Sequence, residues 1–190
     1  MGRAEPKGRQ PQFVHLRLHT EYSLVDGIVR VPRLMPAIAA AGMAAVALTD
    51  QCNLFAMVKF YREALRHGIK PLIGVDIWLG EESDREEPSR LTLLAQDLHG
   101  YRNLSRLISK SYLDGQARGR PVLERRWLDR ESTGGLIALS GAGEGDVGRA
   151  LLSGRSAEAQ ALLARWLDLF GDRYYLELQR TGRPRSCPTR

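Results

Sequence analysis

Phe13–Thr20 places His15, Arg17 and His19 at every second residue. In a strand, such residues share one face. Two imidazoles two residues apart on a strand converge well on a metal ion. The row here is interrupted by Arg17, whose guanidinium stays protonated and offers no lone pair. The stretch is either a metal site or the remains of one. Further polar residues are expected at strand ends: Asp50 after an apolar run, Asp76 after another, and the Ser140-Gly141 turn. Cys52 and Cys187 lie too far apart to make a metal-binding spacing and read as free thiols of a reducing compartment.

These side chains need elements to hold them. Apolar runs at Ala45–Leu48, Lys70–Val75, Leu91–Ala95, Leu136–Ser140 and Tyr174–Leu178 read as strands, in addition to the first. Helical periods are expected at 31–41, 54–67, 101–113, 147–152 and 157–170, and a short helix at 122–129. Pro36 sits awkwardly inside the first helix, because it removes a backbone donor. Leu54, Met57, Val58, Tyr61 and Leu65 follow the helical period and read as a core stripe. Gly80–Pro88 is acidic and reads as a surface loop. Strand and helix alternate without a Rossmann glycine fingerprint, which predicts an α/β fold with parallel strands and crossover helices, closer to a barrel than to an open sheet. Polar side chains at C-terminal strand ends are where such a barrel gathers its site.

The 190 residues suit one domain or most of one, and 43% hydrophobic content supports a real core. No apolar run reaches membrane-spanning length, and the polar start is no secretory signal, so a cytoplasmic protein is expected. The net charge of +6 fits nucleic-acid work. The excess is almost all arginine, 24 Arg against 4 Lys, a bias that genome composition alone can produce. The densest basic stretch, Arg102 to Arg130, reads first as solvated helix faces and a loop.

The order of blocks resembles a known family. Phe13 to Gly27, Ala47-Leu48-Thr49-Asp50-Gln51-Cys52-Asn53-Leu54, Gly68-Ile69-Lys70-Pro71-Leu72-Ile73-Gly74, Leu91 to Ala95, Gly100 to Leu104, Gly135 to Gly141 and Tyr175 to Leu178 are similar to the PHP (polymerase and histidinol phosphatase) domain. The closer resemblance is to the form that begins bacterial DNA polymerase III alpha subunits. It implies an incomplete PHP-type distorted (β/α)7 barrel over 13–184, after a polar tail at 1–12 and before a non-matching tail at 185–190. Active members hold metal ions at the C-terminal strand ends and hydrolyse phosphoesters.

Carried over residue by residue, the resemblance implies a degenerate site. The His-x-His pair falls on Arg17 and His19. Asp26 matches a ligand aspartate, and Asp50 is kept. Gln51 replaces a histidine, and Asp76 stands for a glutamate. Arg90 replaces a histidine, and Ala142 a cysteine or histidine. Two guanidiniums among the remaining donors repel a cation, and the expectation is that they pair with Asp26, Asp50 and Asp76. The pattern is that of the proteobacterial, non-catalytic type, which implies a scaffold that binds the epsilon proofreading exonuclease and the rest of the alpha chain, meets DNA only through the parent holoenzyme, and touches no membrane. No cofactor is implied for this chain, while the parent polymerase uses Mg2+. The other reading is an active phosphoesterase or 3'-5' exonuclease using Zn, Mn or Fe. Stopping near Pro184 implies an unclosed barrel with an exposed edge and poor stability.

Overall fold

A computed structural model of the chain describes residues 13–179 except 25 and 82–83; the side chains of 84–86 are also left undescribed. The expected tails at 1–12 and 185–190 lie outside these residues. Among the described residues, no helix is long and apolar enough to cross a membrane.

The fold is α/β, as the sequence implies. The strands are β1 (Ala45–Leu48), β2 (Lys70–Glu81), β3 (Asp84–Ala95), β4 (Gln116–Ala117), β5 (Arg120–Glu124), β6 (Leu136–Leu139) and β7 (Tyr174–Tyr175). The helices are α1 (Val31–Ala40), α2 (Met57–Arg66), α3 (Leu98–Leu113), α4 (Asp146–Leu152) and α5 (Ser156–Phe170). The sheet runs β4-β5-β2-β3-β6-β7, and β1 also pairs with β2. The long strand β2 takes β1 beside Lys70–Ile73 and β5 beside Trp78–Gly80, both parallel.

Three expectations are corrected by the structure. The sheet is mixed: β3 runs antiparallel to both β2 and β6. Parallel neighbours need a crossover of a dozen or more residues, and between β2 and β3 there is no room for one. The acidic stretch read as a loop belongs instead to these two strands, with Glu81 opposite Asp84. Residues 120–124 form a strand rather than the start of a helix, because Val122 and Leu123 bury themselves along β2. Elsewhere the periods hold. Pro36 is accommodated inside α1. Asp97 caps α3 by accepting from the Gly100 N–H at 2.8 Å.

The first strand is also shorter than its pattern. His15 makes an isolated parallel bridge to Val46. Ala47 N–H donates to His15 O at 2.8 Å and Thr49 N–H to Leu18 O at 3.0 Å, so 13–20 lies along β1. The path 13–20, β1, β2, β3, β6, β7 curls until its ends meet side by side: Arg17 Nη1 lies 3.2 Å from Glu177 Oε1. Among the described residues no backbone pairing joins these two ends, and an ion pair spans the opening between them.

Strand alternation divides the contents of this curl. Val75, Ile77, Leu79, Leu91 and Leu93 pack in a core with Leu104, Leu107 and Ile108 of α3, Val147 and Ala150 of α4, and Trp166 and Phe170 of α5. The intervening residues Asp76, Arg90 and Thr92 point to the other face and are buried there. A second core joins α1, α2 and β1.

Candidate functional site

The buried polar face centres on Asp76. Four N–H groups from three cationic side chains converge on its Oδ2. Arg17 donates from Nε at 3.2 Å and Nη2 at 2.7 Å. His19 Nε2 lies at 2.9 Å and Arg90 Nη1 at 2.8 Å. The Thr92 hydroxyl donates to Oδ1 at 3.3 Å. The register explains this: Thr92 stands opposite Asp76 across the β2–β3 pair, and Arg90 opposite Trp78. The Arg90 guanidinium also lies 4.1 Å from the Trp78 ring centroid, a cation–π contact that holds its plane. Asp76 was expected either to end its strand or to be followed by an extension through Leu79, and the longer strand is the one formed. Asp76 lies mid-strand in β2, but beside the end of β1, where Gln51 bridges to it.

Carboxylates ring the cations. Asp26 Oδ2 lies 3.1 Å from His19 Nδ1 and 3.3 Å from Arg90 Nη2. A tight approach brings it there: a Cβ on Gly27 would meet Thr20 O at 1.8 Å, so only glycine lets the loop close this far. Glu144 reaches Arg17 at 3.7 Å and Arg90 at 3.4 Å from the glycine-rich turn after β6. There Gly141 adopts φ +71°, and a Cβ on it would meet Arg90 O at 2.5 Å. Glu177 completes the ring. Neither Glu144 nor Glu177 is assigned to the site by the sequence reading, although Glu177 lies in the matching block Tyr175 to Leu178. Nearness to a turn after a strand is the one signal that marked the Glu144 region.

Asp50 departs from expectation. Among the described residues it pairs with no arginine. Its buried carboxylate accepts from Thr20 N–H at 2.6 Å, from the Thr20 hydroxyl at 2.8 and 3.0 Å, and from the Ser23 hydroxyl at 2.8 Å. It therefore pins the start of the 20–30 loop that delivers Asp26. Gln51 contributes through its backbone, its N–H donating to Ser23 Oγ at 3.1 Å. Ala142 lies in the turn that carries Glu144, at φ +48°. His15, in the original row, stands edge-on to Phe13 at a centroid distance of 4.9 Å. The basic stretch is mostly engaged: Arg125 pairs with Glu81 and Asp146, each at 2.7 Å, and Arg130 with Asp168 at 2.9 Å.

The protonation states follow from the contacts. Burial opposes charge on Asp76, yet the His19 hydrogen bond and the charges of Arg17 and Arg90 outweigh it and hold the carboxyl below its usual 3.8. Burial also opposes charge on His19, but Asp76 and, more weakly, Asp26 lift the imidazole above its usual 6.5, against the repulsion of Arg17. Both ring nitrogens face carboxylates, which calls for the imidazolium, a donor on both sides. Asp76 therefore adds stability above 3.8 that is lost as pH falls through its lowered folded value. His19 adds stability that is complete below 6.5 and lost as pH rises through its raised folded value. The thermal midpoint should fall as pH is raised from 6.5, and that fall should be absent in His19→Gln; an unchanged slope in the variant would refute the assignment.

A metal cluster does not fit these residues. A metal needs lone pairs from carboxylates and a neutral imidazole. The Asp76 oxygen that faces the site already accepts four N–H groups, both nitrogens of His19 are directed at carboxylates, and two fixed guanidiniums occupy the space between.

The PHP domain family model matches residues 15–181. DNA polymerase III subunit alpha of Pseudomonas aeruginosa is 54% identical over 171 residues, covering 90% of this chain and 14% of that protein. The subunit of the same description from Escherichia coli strain K12 is 46% identical over 175 residues, covering 92% of this chain and 15% of that protein. The chain thus spans about one seventh of the length of these relatives. Among solved structures, an amidohydrolase from Chromobacterium violaceum superposes with a TM-score of 0.41 at 22% identity, over 51% of this chain and 32% of that one.

Proposed function

The chain belongs to the PHP domain family, and from that membership we propose that it is the N-terminal module of a replicative DNA polymerase alpha subunit, one in which a salt-bridge cluster stands where active relatives bind metal. The carrying observation is the convergence of Arg17, His19 and Arg90 on one oxygen of Asp76. A buried ionic cluster of this kind fixes the relative positions of distant strands, a structural use of the pocket. The similarity to alpha subunits at 46–54% identity supports the placement.

In this reading the module acts in the cytoplasm, supports the rest of the alpha chain, and offers a surface to the epsilon proofreading exonuclease. Nucleotide addition with Mg2+ and contact with DNA belong to the parent polymerase. The competing reading, a metal-dependent phosphoesterase or exonuclease using Zn, Mn or Fe, requires lone pairs that Asp76 and His19 have committed elsewhere.

Elemental mass spectrometry of the purified chain, with a generic phosphate ester as substrate, separates the two. The expected result is sub-stoichiometric metal and no turnover above blank. Stoichiometric zinc, manganese or iron, with turnover abolished in His19→Ala, would overturn the scaffold reading.

A further inference from the structure

Helix α2 carries two apolar stripes and buries only one. Phe60 and Ala64 are fully buried in the core with α1 and β1. Val58, Tyr61 and Leu65 are 61%, 48% and 56% exposed. At about 100° per residue these three lie within roughly 60° of one another, turned roughly 110° away from the buried pair. Phe55, one turn earlier, is also exposed. A helix that merely covers a core shows one apolar stripe and a polar remainder. The spacing i, i+3, i+7 of the outer stripe is that of anchor residues in helix-to-groove recognition.

The outer stripe has a charged border. Lys59, Arg62 and Arg66 form a parallel row on its far side from the core, all exposed. Glu63 is the helix's one acidic residue and pairs with Arg66 at 3.0 Å. Lys59 lies over the Tyr22 ring at 5.5 Å and 4.0 Å from Glu21 Oε1, while Arg62 has no ion pair among the described residues. The face is therefore apolar along its middle and net positive along one edge, three cations standing against Glu21 and Glu63.

We propose that this face of α2 docks an acidic amphipathic segment of a separate protein. The segment's apolar side chains lie on Val58, Tyr61 and Leu65, and its carboxylates meet Lys59, Arg62 and Arg66. Charge complementarity selects this occupant over a second copy, which would bring another chain of net charge +6 against a positive edge. It also selects a protein over a nucleic acid, whose phosphates would leave the apolar stripe in water. The inference is independent of the ion cluster and of its proposed role.

The probe is a synthetic helical peptide with leucines at i, i+3 and i+7 and glutamates along one flank, compared with a sister peptide carrying lysines in place of the glutamates. Fluorescence anisotropy with the full 190-residue chain is the readout. The acidic peptide should bind, the lysine peptide should bind at least ~10-fold more weakly, and added salt should weaken binding. Arg62→Glu and Leu65→Glu should each raise Kd by roughly tenfold, since both side chains are exposed and neither supports the core. Leu113→Glu, on an exposed position of α3, should leave Kd unchanged. Equal affinity for the two peptides, no binding up to ~1 mM, or a concentration-dependent dimer that Leu65→Glu dissociates would overturn the proposal.

Discussion

Asp76→Ala should unfold the chain's charged centre. The substitution leaves Arg17, Arg90 and the His19 imidazolium facing one another in a buried space, with the nearest remaining carboxylates on the outer ring. Removing one partner from a buried ionic group costs about 3–5 kcal/mol, because the charges left behind have lost both water and partner. For a chain of this size that corresponds to a fall in Tm on the order of 10 °C. Arg17→Ala should cost less, about 1–2 kcal/mol, since Asp76 keeps Arg90 and His19. Urea unfolding of the two variants beside the wild type measures both. No loss in either would mean that the cluster does not hold the fold together, and equal losses would refute the ordering. The ordering is the informative part, because Asp76 has three cationic partners and Arg17 is one of them.

Asp50→Ala should cost about 3 kcal/mol by a different route. Asp50 faces no cation. It is the buried acceptor for one backbone N–H and two hydroxyls, and its loss strands Thr20 N–H without water or partner. Asp50→Asn separates shape from charge. The amide oxygen still accepts from Thr20 N–H and Ser23 Oγ, and the Thr20 hydroxyl can rotate to accept from the amide nitrogen, so the cost should be roughly half. Because Asp50 anchors the loop that carries Asp26, the alanine variant should also expose residues 20–30 to limited proteolysis. A cleavage pattern identical to wild type would show that the loop is held by other contacts.

The two carboxylates differ in how far the sequence announced them. Asp76 was marked by family pattern, and its arginine partners could be foreseen once Arg17 and Arg90 were seen to occupy ligand positions. Asp50 was marked by the same pattern but was assigned the wrong kind of partner. A motif identifies which side chains share a pocket; it does not decide between a guanidinium and a backbone N–H, which depends on how the following loop turns. Glu144 and Glu177 were invisible for another reason. They are brought in by the Gly141 turn and by the curl of the sheet, and neither leaves a local spacing to read.

The strand pattern failed in a related way. Apolar alternation identifies a strand without giving its direction, so β3 passed for one more parallel strand. Val122 and Leu123 are consistent with a helix or a strand until the edge of β2 claims them. In α2 the helical period was legible, but its assignment to the core was not: Val58, Tyr61 and Leu65 carry the period and face outward, while Phe60 and Ala64 do the packing.

The contact between Arg17 and Glu177 has a consequence in time. The two residues are 160 positions apart in sequence. At a synthesis rate of about 5–20 residues per second, Arg17 has left the ribosome roughly ten to thirty seconds before Glu177 exists. Asp76 and Arg90 emerge earlier in that interval and can begin to neutralise Arg17, but the clasp between the 13–20 segment and Glu177 cannot close until the 160 residues that separate them have been made. The nascent chain must therefore hold an unsealed curl until the segment after β7 has been made.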